Sequence, residues 1–178
     1  MPKYLKEHNL DDIYVIGSEE FKGELDKEGI NVVQDNTAEH LVVGYDSNIS
    51  YNKIDTALYI LLKGGKFIVC NMDSKFPVEC GFKAGTGPIV KAIEYASKKV
   101  PDIIIGKPEI YVLESICRKY KVNNKEILMV GDSYESDILM AIKFKCLSIK
   151  IGESLTNTNK YVLECKDLKK FLGVLKNE

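Results

Sequence analysis

The chain has 178 residues, 45% hydrophobic and 29% charged, with a formal net charge of -1. That is enough apolar material for one large domain or two small ones, and near-neutral, interspersed charge excludes a nucleic-acid footprint. The start MPKYLKEHNL has no apolar signal core and no run is long enough to span a bilayer, so no membrane partner is expected. Cys70, Cys80, Cys117, Cys146 and Cys165 form no CxxC pair, and only two histidines accompany them. Reduced thiols in a cytoplasmic protein are expected rather than a zinc site.

In chain order, IYVIG (13–17) reads as a strand and 18–29 as a helix with a serine cap and a glycine stop. NVV and HLVVGY read as short strands. Ser50 can cap a helix from Tyr51 to about Lys63, where Ile54, Leu58, Leu61 and Leu62 keep helical spacing before Gly64-Gly65. KFIVC (66–70) is a strand, and Pro88 to Lys99 a helix with Pro88 in a permitted first position. DIIIG (102–106) is a brief extended piece, and Pro108 starts another helix. A strand at 127–130, a helix at 136–144, a strand at 146–151 and a last helix near 167–175 follow. Strands alternating with helices predict an α/β fold with a largely parallel sheet. AGTGP has neither P-loop nor dinucleotide spacing, and its glycines are expected to shape the turn before Pro88.

Two acids stand out in ILMVGDSYESDILMA (127–141). Asp132 follows an apolar strand at once, where ligands gather in parallel sheets. Mg2+ takes one or two carboxylates with phosphate oxygens and waters, so Asp132 is a candidate metal ligand. Asp137 opens the next helix and can orient a metal-bound water or a nearby lysine. The same spacing also fits a turn residue and a decorated helix end. Lys107, in IIIGKPE, sits just before a helix-starting proline. A cation there opposes the helix dipole by about 0.3–1 kcal/mol, which makes sense if an anion arrives. A solvated loop lysine is the plainer reading of that residue alone.

The order strand, GKP, helix, strand, GDxxxxD resembles the haloacid dehalogenase-like (HAD) phosphatases, in particular the p-nitrophenyl phosphatase and phosphoglycolate phosphatase branch with a large α/β cap. The resemblance implies Lys107 for phosphate contact and charge neutralisation, Asp132 for Mg2+, and Asp137 acting behind them. Asn71 and Asp73 in CNMD resemble the cap's Asn-x-Asp stretch and become candidate substrate-side residues. It also implies a partial Rossmann-like parallel HAD core carrying an inserted α/β cap. Residues 1–20 are then a core segment, 21–101 the cap and 102–178 the C-terminal part of the core.

The family's chemistry begins with a nucleophilic aspartate in a DxD motif after the first core strand. No apolar run in this sequence ends in DxD: Asp11-Asp12 precede their strand, Asp46 lacks a second acid, and Asn71-Met72-Asp73 puts an amide first. The first two core strands of the pattern are therefore expected to be missing. The strand 127–130 should then lack a neighbour, at about 1–3 kcal/mol per buried unsatisfied group. The implied function is Mg2+-dependent hydrolysis of a small phosphorylated metabolite through a phosphoaspartate in the full-length protein, with this chain inactive alone. The alternative is a non-catalytic HAD-like binding or dimerising protein that has lost the nucleophile. Expected partners are a second copy through the cap, or a chain supplying the missing strands. A phospho-acceptor receiver shares the acids and lysine, but gives the middle of this chain no place.

Overall fold

The computed structural model describes residues 1–152, 159–167 and 169. The chain divides into two compact units between Ile105 and Gly106.

The first unit opens with α1 (Pro2–Glu7), a short helix not foreseen in the sequence, which buries Tyr4 and Leu5. It continues through β1 (Ile13–Ile16), α2 (Glu19–Lys27), β2 (Val32–Val33), β3 (His40–Val43), α3 (Tyr51–Leu62) and β4 (Phe67–Val69). The antiparallel hairpin β5 (Lys75–Val78) and β6 (Gly81–Ala84), helix α4 (Thr86–Ser97) and β7 (Ile103–Ile104) complete it. Five strands form one parallel sheet in the order β2-β1-β3-β4-β7. Every residue of β1 and β4 is buried, which is why these strands read as unbroken apolar runs instead of alternating. Ala57, Ile60 and Leu61 of α3 and Ile89, Val90 and Ile93 of α4 join Leu41, Val43, Phe67 and Val69 in one core.

Local chemistry sets the helix starts. Ser18 and Ser50 accept hydrogen bonds from the backbone N–H of Phe21 (3.2 Å) and Lys53 (3.4 Å). Helix α4 begins at Thr86, two residues before the expected Pro88. A Cβ on Gly87 would lie 2.8 Å from the Met72 carbonyl oxygen, so this glycine permits close backbone approach.

Residues 1–20 were expected to stand apart from 21–101. Instead β1 pairs with β2 on one side and β3 on the other, sharing one sheet with them. Four consecutive buried residues need two strand neighbours, and the nearby β2 and β3 provide them. The hairpin 75–84 was also unforeseen; its strands are largely exposed and carry Pro77, so no alternation marks them.

The second unit contains α5 (Tyr111–Tyr120), β8 (Leu128–Gly131), α6 (Leu139–Phe144), β9 (Leu147–Ile151) and β10 (Val162–Cys165). Its parallel sheet runs β10-β9-β8. Among the described residues β8 has a strand neighbour on one side only. Leu113, Met140, Ala141 and Cys146 pack with Met129 and Phe144 in its core. Leu128, Val130, Leu147 and Leu163 are 44%, 41%, 41% and 55% exposed. A parallel sheet is normally covered on both faces, so apolar strand residues this exposed mark surface that the described residues leave without a cover. The helix foreseen from Pro108 starts at Tyr111, β10 was not foreseen, and the last helix foreseen near 167–175 lies almost wholly outside the described residues. Among the described residues no helix is long and apolar enough to cross a membrane.

Candidate functional site

The acidic loop of the second unit is built around Gly131. After β8 the chain makes a single turn of π-helix, Tyr134–Ile138, before α6. The N–H groups of Asp137 (3.1 Å) and Ile138 (3.2 Å) both donate to the Ser133 carbonyl. The wide turn swings Asp137 back over the strand end. A Cβ on Gly131 would lie 2.5 Å from Asp137 Cγ, so no other residue leaves room for this carboxylate.

Asp137 is buried, yet charged chemistry surrounds it. Lys107 Nζ donates to its Oδ1 at 2.7 Å, and the Ser133 N–H donates to Oδ2 at 3.3 Å. The lysine side chain is 44% exposed against 9% for the aspartate, so the ammonium is fixed at one end and wet along its length. A buried carboxylate is tolerated only when paired and hydrogen-bonded, and Lys107 supplies that pairing.

Lys107 is not the dipole-opposing cation that the sequence suggested. It lies in a turn four residues ahead of α5, closed by the Glu109 N–H donating to the Gly106 carbonyl at 3.0 Å. A helix dipole acts within its first turn, so Asp137, not α5, explains where this lysine sits. Lys143 Nζ to Glu109 Oε1, 2.6 Å, ties the same turn to α6.

Asp132 stands next to Gly131 and is exposed, with no hydrogen bond or ion pair among the described residues. One exposed carboxylate at a strand tip fits Mg2+, which retains waters and takes phosphate oxygens for its remaining positions. The described residues contain no group of three His, Cys, Asp or Glu side chains able to hold a metal by themselves. The donor set thus suits a hard cation shared with a phosphorylated ligand better than a closed structural metal.

The structure brings Lys107 and Asp137 into contact and puts Asp132 in the same loop as Asp137. Asn71 and Asp73 belong to the first unit, following β4. Asn71 Oδ1 accepts from the Asp73 N–H at 3.1 Å, a local turn that leaves the Asp73 carboxylate exposed. Asp46, weighed in the sequence only as half of a DxD, is 5% exposed and fully engaged. Its Oδ2 accepts from Lys53 Nζ (2.7 Å) and its Oδ1 from the Asn48 N–H (2.8 Å). It holds the loop into α3. Only a lysine seven positions away hinted at this, and Asp46 lies outside the helix that carries it, so helical spacing does not relate the two.

In this parallel α/β chain a lysine is locked to a buried acid in the loop that carries an exposed strand-tip aspartate, a set of groups able to hold an anion together with a hard cation. A family model for haloacid dehalogenase-like hydrolase matches residues 2–145, and the chain belongs to that family. It is similar to an acid sugar phosphatase of Staphylococcus haemolyticus, with 29% identity over 144 residues covering 81% of this chain and 54% of the relative. It is also similar to the glycerol-3-phosphate phosphatase of Homo sapiens, 36% identical over 127 residues, covering 70% of this chain and 39% of the relative. Among solved structures, the 4-nitrophenylphosphatase of Thermotoga maritima superposes with a TM-score of 0.86 at 25% identity, over 97% of this chain and 69% of that one. The chain spans about half the length, or less, of these curated relatives.

Proposed function

We propose that these residues form the phosphate-gripping part of a HAD-like phosphatase that hydrolyses a small phosphomonoester. The observation that carries the reading is the 2.7 Å Lys107–Asp137 pair beside the exposed Asp132. Asp137 acts as a positioning residue: it holds the ammonium at one place, in the same unit as the exposed Asp132. Phosphoryl transfer needs positioning and charge neutralisation above all, which is what a fixed cation provides. Asp132 would hold Mg2+, which supplies further neutralisation of phosphate charge when bound. Names of the relatives support the class of substrate, since each is a phosphatase.

In this reading the first unit is the cap, and Asn71 and Asp73 meet the organic part of the substrate. A nucleophilic aspartate in a DxD setting is not in this sequence, so the isolated chain is expected to bind phosphate without turning over a phosphate ester. The partners that go with it are a second copy through the cap or a chain bringing the missing core strands, and the compartment is the cytoplasm. The second reading, a non-catalytic HAD-like binding protein, shares the phosphate grip.

Two measurements test this. With Mg2+ and p-nitrophenyl phosphate, the chain should show no turnover above a Lys107→Ala control; turnover abolished by Asp132→Ala would show that the nucleophile is present after all. Phosphorus NMR titration with inorganic phosphate should show Mg2+-dependent binding lost in both variants. Equal phosphate binding by wild type and Lys107→Ala would remove the basis of the proposal.

A further inference from the structure

Lys150 is a buried charge to which the phosphatase reading gives no role. It is 7% exposed, and among the described residues its ammonium donates to one acceptor, the Ile151 carbonyl at 2.7 Å. An ammonium has three donors, and burying a charge is expensive unless it is paired. Ile149 and Ile151 flank it on β9, where another apolar residue would fill the position without that cost.

The sheet register says what faces this lysine. Lys150 pairs with Gly131 of β8 on one side and with Glu164 of β10 on the other. Register partners on parallel strands send their side chains to the same face, and the strands lie about 4.8 Å apart. Gly131 has no side chain, and the Asp137 carboxylate takes its place: a Cβ there would lie 2.5 Å from Asp137 Cγ. Lys150 therefore leaves β9 about one strand spacing from that carboxylate. The pair two residues earlier fits the same arrangement, since Met129, the partner of Ser148, packs with Met140 of α6. Glu164 is exposed, so water screens it, and the buried Asp137 is the better counter-charge.

Asp137 thus lies between two cations. Lys107 touches its Oδ1 from the half-exposed side, and Lys150 stands on the sheet side. The described hydrogen bond of Lys150 goes to Ile151, so it acts on Asp137 through its field, which burial keeps from being screened.

We propose that Lys150 is a second positioning residue of the site: its charge holds the Asp137 carboxylate over Gly131, so that Asp137 keeps Lys107 in place while Lys107 engages a phosphate. The inference rests on the phosphate-gripping reading of Lys107 and adds to it a residue that does not touch the ligand. A carboxylate with one mobile cation follows that cation when an arriving anion draws on it. A second cation fixed in the sheet opposes that movement, which is how a supporting layer keeps a site in geometry. It also gives a reason to retain a charge whose removal is expected to stabilise the fold.

The test is a phosphorus NMR titration of the chain with inorganic phosphate and Mg2+. Lys150→Gln keeps a donor for the Ile151 carbonyl and loses the charge; it should weaken phosphate binding about five- to tenfold. Lys150→Met should weaken it as much, although that variant should resist urea better, and either variant suffices if the other does not fold. In an Asp137→Asn background the same substitutions should change affinity by less than about twofold, because the carboxylate through which Lys150 acts is gone. A lysine with a merely structural role would weaken binding alike in both backgrounds. Where Asp137→Asn binds too weakly to compare, urea unfolding decides: Lys150→Met should raise the midpoint more in Asp137→Asn than in wild type, since the ammonium there has lost its counter-charge. Wild-type affinity in the Lys150 variants, or equal effects with and without the Asp137 carboxylate, would overturn the inference and leave the phosphate grip standing. Phosphate binding that Lys107→Ala does not reduce would refute the grip, and this inference with it.

Discussion

Breaking the Lys107–Asp137 pair from either side should give unequal costs. Lys107→Met strands a carboxylate that is 9% exposed and whose remaining donor among the described residues is the Ser133 N–H at 3.3 Å. Removing one partner of a fully buried pair costs about 3–5 kcal/mol, and an exposed pair is worth under about 1 kcal/mol. The ammonium side chain is 44% exposed, so solvent screening places this pair between the limits. We expect about 2 kcal/mol for Lys107→Met. Asp137→Asn leaves behind an ammonium that water can reach, and should cost about 1 kcal/mol. The double variant should fall at least about 1 kcal/mol short of the sum. Urea unfolding followed by circular dichroism gives the totals, and hydrogen exchange at Val130 and Ile149 isolates the second unit. Additive costs, or Asp137→Asn costing more than Lys107→Met, would refute the view that the buried carboxylate is the member in need of its partner.

Three further outcomes can be checked. Gly131→Ala should destabilise by about 1–3 kcal/mol and weaken phosphate binding, because its Cβ would have to displace the Asp137 carboxylate. Lys150→Met should raise the urea midpoint: Lys150 is 7% exposed and, among the described residues, its ammonium donates to one carbonyl, Ile151 at 2.7 Å, so an apolar isostere removes a buried charge with a single described partner. In iodoacetamide labelling at pH 8 read by mass spectrometry, exposed Cys80 should react first and Cys70 should stay protected, its thiol pushed up to about 11 by burial. Because burial favours the neutral thiol of Cys70, that part of the stability is present below pH 9 and is lost as the pH climbs from about 9 towards 11.

The residues that were legible in the sequence are those whose neighbours along the chain determine them. Ser50 and Ile54 announce α3 through a cap and a period, and both lie where that reading puts them. Gly131 and Asp132 announce a strand end, because an apolar run stops at a glycine and an acid. What could not be read depends on partners far along the chain. The sheet membership of β1 is decided by β3, nearly thirty residues on, and nothing in IYVIG distinguishes one parallel sheet from another. Asp137 was read as a helix-opening acid able to orient a nearby lysine, but its burial was not legible, since that depends on a π-turn and a lysine thirty positions earlier. The 75–84 hairpin escaped because its exposed strands carry no periodic burial to leave a pattern.

The two units differ in how much of their sheet they cover, and this bears on how they should hold together. The first unit buries its central strands on both faces, from Ile13 through Val69, with relative exposures at or near zero. The second covers the Met129 side with Leu113 and Met140, yet leaves Leu128, Val130 and Leu163 about half in water. At about 25 cal/mol per Å2, an unburied apolar face forfeits the stabilisation that the covered one receives. Lys107, Asp132 and Asp137 all sit in that less covered unit. A strand or helix laid on β8 would therefore bury apolar surface and steady the loop that begins at Gly131 in the same step. Amides of 128–131 should exchange much faster than those of 41–43, and protection at 128–131 should rise when such a cover binds. Equal protection of the two strands in the isolated chain would mean that the exposed face costs nothing, and the link between cover and site would be lost.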